Sequence, residues 1–229
     1  VDPEMRATYF PPGFRERMSP HSLGEVYASG NTGKEWAKKW VKECELGDCD
    51  EAREIIPTAA DLGIRMCVHP DDPPHDILGL PRIVSTGMDI DWILGAVDNG
   101  ANGLTLCSGS LGAHPNNDVP QIARQFADRI YFAHLRNVTK EDNGSFQEEA
   151  HLAGDTDMVA LIQTLLDEEA RRIEAGLHDG EIVFRPDHGH ELLSDVGRGT
   201  HPGYSLIGRL RGLAELRGVI HALSNGYPR

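Results

Sequence analysis

The sequence predicts an α/β fold of parallel βαβ units, with helices packed outside the strands. Three observations lead there. Short apolar runs alternate with amphipathic helical stretches from residue 50 onward. The composition, 39% hydrophobic and 25% charged over 229 residues, is that of a globular chain able to bury a sizeable core. Residues able to bind metal or move protons follow the apolar runs directly, and the carboxyl ends of strands are where α/β folds keep their chemistry.

The elements follow in order. Residues 1–31 are rich in Pro, Gly, Ser and Arg and read as irregular, a lead-in together with a helix over 33–46 that aligns Trp36, Trp40 and Val41. Residues 50–62 suit a second helix, interrupted at Pro57. IRMCV (64–68) reads as a strand, and RIVS (82–85) as a weaker one. A helix over 89–97, a strand over 103–107, a helix over 119–129 and a strand over 130–135 come next. The clearest helix is 156–175, where Met158, Leu161, Ile162, Leu165, Leu166 and Ile173 form one stripe. Asp155 or Thr156 is placed to cap its start, and Gly176 to end it. EIVF (181–184) is a strand, and 205–216 a last helix with Leu206, Leu210 and Leu213 on one face. All of this is expected to form a single domain over 1–229, with four to five parallel strands.

Charge and cysteine usage exclude several classes. A formal net charge of −14 opposes binding to nucleic acid or to an anionic membrane. No apolar stretch approaches the roughly 18 residues of a membrane span, and the first residues carry no apolar signal core. The four cysteines, Cys44, Cys49, Cys67 and Cys107, form no disulfide framework and point to a reducing cytoplasm. Cys44 and Cys49 lack the second pair that a structural zinc would need and read as plain thiols. There is no dinucleotide fingerprint and no P-loop. The acidic run Asp167-Glu168-Glu169 reads as a solvated helix face.

Four strand ends carry metal-capable side chains: His69 after IRMCV, Cys107 after GLTL, His134 within IYFAHL and Asp187 after EIVF. A barrel brings such ends to one mouth. Two imidazoles, a thiolate and a carboxylate suit a borderline divalent ion (manganese, iron, cobalt or zinc) rather than magnesium or calcium, which prefer oxygen. Arg136 and Asn137 follow the strand of His134 and are candidates for binding a substrate, Arg136 as a clamp on a carboxylate or else as a structural ion pair. Asn116, Asn117 and Asp118 either meet hydroxyl groups or cap the next helix.

The runs HPDDPP (69–74), GLPRIVST (79–86), NGLTLCSGSLGAHPNND (102–118), HLRNV (134–138), HLAGDTDM (151–158), RPDHGH (185–190) and GYSLIGRLRGLAELRGV (203–219) together resemble the mannonate dehydratase family. The resemblance covers residues 50 to 223 or so. It implies a TIM barrel of the xylose-isomerase type and a divalent Mn2+ or Fe2+ ion on His69, Cys107, His134 and Asp187. It also implies His188 and Tyr204 as the acid/base pair. The expected reaction is dehydration of D-mannonate to 2-dehydro-3-deoxy-D-gluconate in hexuronate (glucuronate) catabolism. The first half of the barrel is not recognisable, so an incomplete barrel of four to five strands is expected, which a partner chain, as in a homo-oligomer, could complete. The competing readings are a metal-dependent sugar isomerase or epimerase, where Cys107 and the RPDH run are out of place, and a metal-binding fragment without catalysis.

Overall fold

The computed structural model describes residues 50–77, 82–177 and 180–225. The helix expected over 33–46, and Cys44 and Cys49, lie outside the described residues. Of the described residues, 50–75, 82–177 and 180–225 cluster as one compact unit, and the description that follows concerns that unit.

Four parallel strands form one sheet in the order β1 (Met66–Val68), β2 (Asn102–Cys107), β3 (Ile130–His134) and β6 (Val183–Arg185). A two-stranded antiparallel sheet, β4 (Asn137–Lys140) with β5 (Phe146–Glu149), projects from the carboxyl end of β3. Helices α1 (Asp50–Asp61), α2 (Gly87–Ala96), α3 (Ser108–Gly112), α4 (Val119–Gln125), α5 (Met158–Glu174) and α6 (Leu206–Ser224) complete the unit. The sheet does not close among the described residues. The expected parallel α/β architecture is present, as an arc of four strands.

One core joins the sheet to its helices. Ile90 and Leu94 of α2, Leu104 and Leu106 of β2, Ile122 of α4, Ala133 of β3, Leu161 and Ile162 of α5 and Leu216 of α6 belong to a single buried cluster. The stripe on α5 puts Leu161, Ile162 and Leu165 inside, as the 3.6-residue period requires.

Several expectations are corrected. RIVS is not a strand: the N–H groups of Ile83 and Val84 donate to the Asp71 carboxylate, both at 2.8 Å, and those of Ser85 and Thr86 to Asp89. Side-chain acceptors take the donors that a ladder would have used. Pro57 sits inside a continuous α1 rather than breaking it. The cap of α5 is Asp157, which accepts from Ala160 N, while Asp155 accepts from Lys140 N on the hairpin. The last helix runs on to Ser224, and its buried face is Gly208, Gly212 and Leu216; Leu206 and Leu210 are each 52% exposed. A side chain at Gly208 would put its Cβ 2.0 Å from His190 O, and one at Gly212 would meet the His151 ring at 2.1 Å. The glycines, not the leucines, let α6 approach the loop after β6. Glu168 is not solvated: it is buried with Arg172, whose Nε it meets at 2.7 Å.

Candidate active site

The sheet register assembles the site. Cys107 and His134 are the last residues of adjacent strands and stand opposite each other. His69 follows β1 and Asp187 follows β6, so all four candidate ligands sit at the carboxyl ends of neighbouring parallel strands. The ligand atoms of His69, Cys107 and His134 lie within 4.8 Å of one another. His134 Nδ1 lies 3.1 Å from His69 Nε2 and 3.6 Å from Asp187 Oδ2. His69 Nδ1 donates to Pro70 O at 2.6 Å, which leaves Nε2 as its ligand atom.

Local structure holds each group. Cys107 is the N-cap of α3, and its sulfur accepts from Ser110 N at 3.4 Å and Ser110 Oγ at 3.1 Å. Burial pushes the Cys107 thiol up, but hydrogen bonds with His134, His69 and Ser110 outweigh burial and hold its pKa at about 6. The bond to Cys107 raises the His69 imidazole, against the opposing effect of burial. Asp187 is buried and has φ 64, in the left-handed region that few non-glycine residues occupy. Arg185 Nη2 lies 2.9 Å from Asp187 Oδ1 but off hydrogen-bonding alignment, so that buried oxygen has a cationic neighbour and no aligned donor. A thiolate, two imidazoles with inward nitrogens and a carboxylate with an unfilled oxygen fit a divalent transition metal.

Beside these candidate ligands lies the expected acid/base pair. His188 Nε2 is 3.3 Å from Tyr204 Oη and 3.9 Å from Asp187 Oδ2. The rings meet edge to face at 4.9 Å. Gly203, at φ +80, backs the pair: a Cβ there would lie 3.3 Å from the His188 ring.

Arg136 and Asn137 point elsewhere. Arg136 is buried, gives its Nε to Glu148 Oε2 at 2.9 Å and its Nη2 to Glu148 Oε1 at 2.6 Å, and pairs through Nη1 with Asp72. Of its two expected uses, the geometry is that of the structural ion pair. Asn137, 1% exposed, donates to His151 O and Thr156 O and accepts from the N–H groups of Val138 and Thr156. Its amide is fully occupied in tying the hairpin to the 151–156 loop, so it offers a substrate nothing. His151 in turn meets Pro186 O through Nε2 at 2.8 Å, which steadies the loop bearing Asp187 and His188. Asp118 caps α4 through Gln121 N, and Asn117 bridges Ser85 O and Leu111 O.

The residue missed by sequence reasoning is Glu148. It lies on β5, accepts from Arg136 and meets His188 Nδ1 at 2.8 Å. Burial opposes its charge, yet the bonds with His188 and Arg136 prevail and hold its carboxyl below the usual range. The signal available was the Asn143-Gly144 turn between β4 and β5, which marks a hairpin.

Comparison with known proteins identifies the family. The family model described as D-mannonate dehydratase (UxuA) matches residues 52–229. Mannonate dehydratase 1 of Agrobacterium fabrum is 56% identical over 180 residues, covering 77% of this chain and 45% of the relative. Mannonate dehydratase of Rhizobium meliloti is 57% identical over 175 residues, covering 75% and 44%. The crystal structure of mannonate dehydratase from Streptococcus suis serotype 2 superposes with a TM-score of 0.67 at 37% identity, covering 76% of this chain and 47% of that one. The chain thus spans about half the length of the relatives it matches. The strand arc is accordingly part of a TIM-type barrel, and the chain belongs to the D-mannonate dehydratase family.

Proposed function

We propose that this chain carries the metal-binding and proton-transfer half of a mannonate dehydratase. It would convert D-mannonate to 2-dehydro-3-deoxy-D-gluconate and water, in hexuronate (glucuronate) catabolism. The observation that carries the reading is the convergence of His69, Cys107 and His134 within 4.8 Å, beside the His188–Tyr204 pair, at the mouth of a parallel sheet. His69, Cys107, His134 and Asp187 would hold the ion, and Mn2+ or Fe2+ suits them. Bound there, the ion would supply Lewis-acid stabilisation of the charge that develops on the substrate carboxylate as the α-proton leaves.

The remaining work falls to the chain's own side chains. The C2–H bond breaks, its electron pair forms the C2–C3 double bond, and the C3 hydroxyl departs with a proton as water. The enol then takes a proton at C3, gives up its C2 hydroxyl proton and becomes the 2-keto acid. One group must take the C2 proton and another must give one to the hydroxyl. His188 and Tyr204 are the pair for these roles, through Nε2 and Oη, which already face each other. Free thiols at Cys67 and Cys107 support a reducing, cytoplasmic setting. No helix among the described residues is long and apolar enough to cross a membrane.

The test is to incubate the 229-residue chain with D-mannonate and Mn2+, against a chelated control, and follow the keto acid by mass. Metal-dependent loss of one water supports the whole reading. Mn2+ binding without turnover keeps the metal site and assigns turnover to an assembly with the complementary half of the barrel. Failure to bind Mn2+ overturns the site.

A further inference from the structure

We propose that Glu148 is a positioning residue: it accepts the Nδ1 proton of His188 and so presents an unprotonated Nε2 to Tyr204 and the substrate space. The inference rests on reading His188 as one of the acid/base groups. It concerns which nitrogen carries the ring proton.

A neutral imidazole has one N–H and one lone pair, and the hydrogen bond made by one nitrogen sets the role of the other. His188 Nδ1 faces Glu148 Oε1 at 2.8 Å. Glu148 is also the acceptor for Arg136, through both of its oxygens. A carboxylate held by a guanidinium has no proton to donate, so Nδ1 must carry one. Nε2 then holds the lone pair, and the only hydrogen-bond role left for Tyr204 Oη, 3.3 Å away, is as donor.

The anchor runs further back. Arg136 is itself pinned by Asp72 from the loop after β1. Glu148 is delivered by β5, where it stands opposite Val138 of β4. The series Asp72, Arg136, Glu148, His188 and Tyr204 therefore connects the loops after β1, β3 and β6. It accounts for the antiparallel hairpin at the end of β3, which otherwise contributes nothing to the parallel sheet.

The tautomer is directly measurable. In the full chain with 15N-labelled histidine, at a pH where the rings are neutral, long-range proton–nitrogen spectra separate the two forms; His188→Gln identifies the His188 signals. The expected result is a protonated Nδ1 in the unsubstituted chain. A protonated Nε2 overturns the proposal. In Glu148→Gln, which keeps the side-chain shape, the Nδ1–H form should cease to dominate. An unchanged tautomer in a folded Glu148→Gln also overturns it. Where turnover is measured, Glu148→Gln should lower kcat roughly 10–100-fold with KM nearly constant, because Glu148 orients the ring without touching substrate. If His188→Gln turns over like the unsubstituted chain, the acid/base reading fails, and the tautomer result separates that failure from failure of the Glu148 proposal.

Discussion

Cys107 is the proposed ligand whose ionisation its neighbours change most. A buried thiol would ordinarily stay protonated, and here two histidines and Ser110 reverse that preference. The sign follows: thiolate absorbance near 240 nm should grow as pH rises through about 6 in the metal-free chain, well below the ordinary thiol range. Subtracting the same titration of Cys107→Ser isolates this residue from Cys67, whose thiol burial pushes up. A difference signal appearing only above pH 8 or so would show that the hydrogen bonds do not stabilise the anion. Sequence order exposed this candidate, because Cys107 ends an apolar run. Its ionisation depends on His69 and His134, which are distant in sequence and adjacent only in the sheet.

At the level of elements, two helices show how packing overrides pattern. The Leu face of α6 is half-exposed, while Gly208 faces the backbone of His190 with no room for a methyl group. Gly208→Ala should destabilise the fold by about 1–3 kcal/mol, despite the better helix propensity of alanine. A lowered urea midpoint checks this. On α5, Glu168 joins Arg171 and Arg172, and Arg172 reaches Ala127 O and Ile130 O beneath β3. Glu168→Gln removes one partner of a buried pair and should cost about 3–5 kcal/mol at neutral pH. The Arg171 hydrogen bond, aided by Arg172 and opposed by burial, holds the Glu168 carboxyl below its usual range. Its stabilisation is therefore complete above the ordinary carboxylate pKa and is lost as pH falls through the folded value. The stability gap between the unsubstituted chain and Glu168→Gln should narrow under acid, measured by urea denaturation at several pH values.

Across the whole molecule, the four proposed ligands come from the ends of four separate strands, so an ion that binds only the folded chain would stabilise all of them together. With free Mn2+ at 100 times its Kd, linkage adds about 2.7 kcal/mol, or roughly 5–10 °C in Tm for a unit of this size. A melting curve with and without chelator reads it, and Asp187→Asn should remove most of the shift. No change on adding Mn2+ would mean that the four groups do not act as one site.

Sequence alone determined the α/β class, all four parallel strands to within two residues, the long helix α5 and the identity of the side chains at the strand ends. These are local properties, set by apolar period and by the residue that follows each run. Tertiary structure decided the rest. It made RIVS a loop, because the Asp71 and Asp89 carboxylates took its donors. It left Leu206 and Leu210 of α6 half-exposed, because only glycines fit against the loop after β6. It spent Arg136 on Glu148 and Asp72, and brought Glu148 to His188 across 40 residues of chain. Hydrogen bonds and close contacts of that kind depend on which segments meet in space, and no sequence period records them.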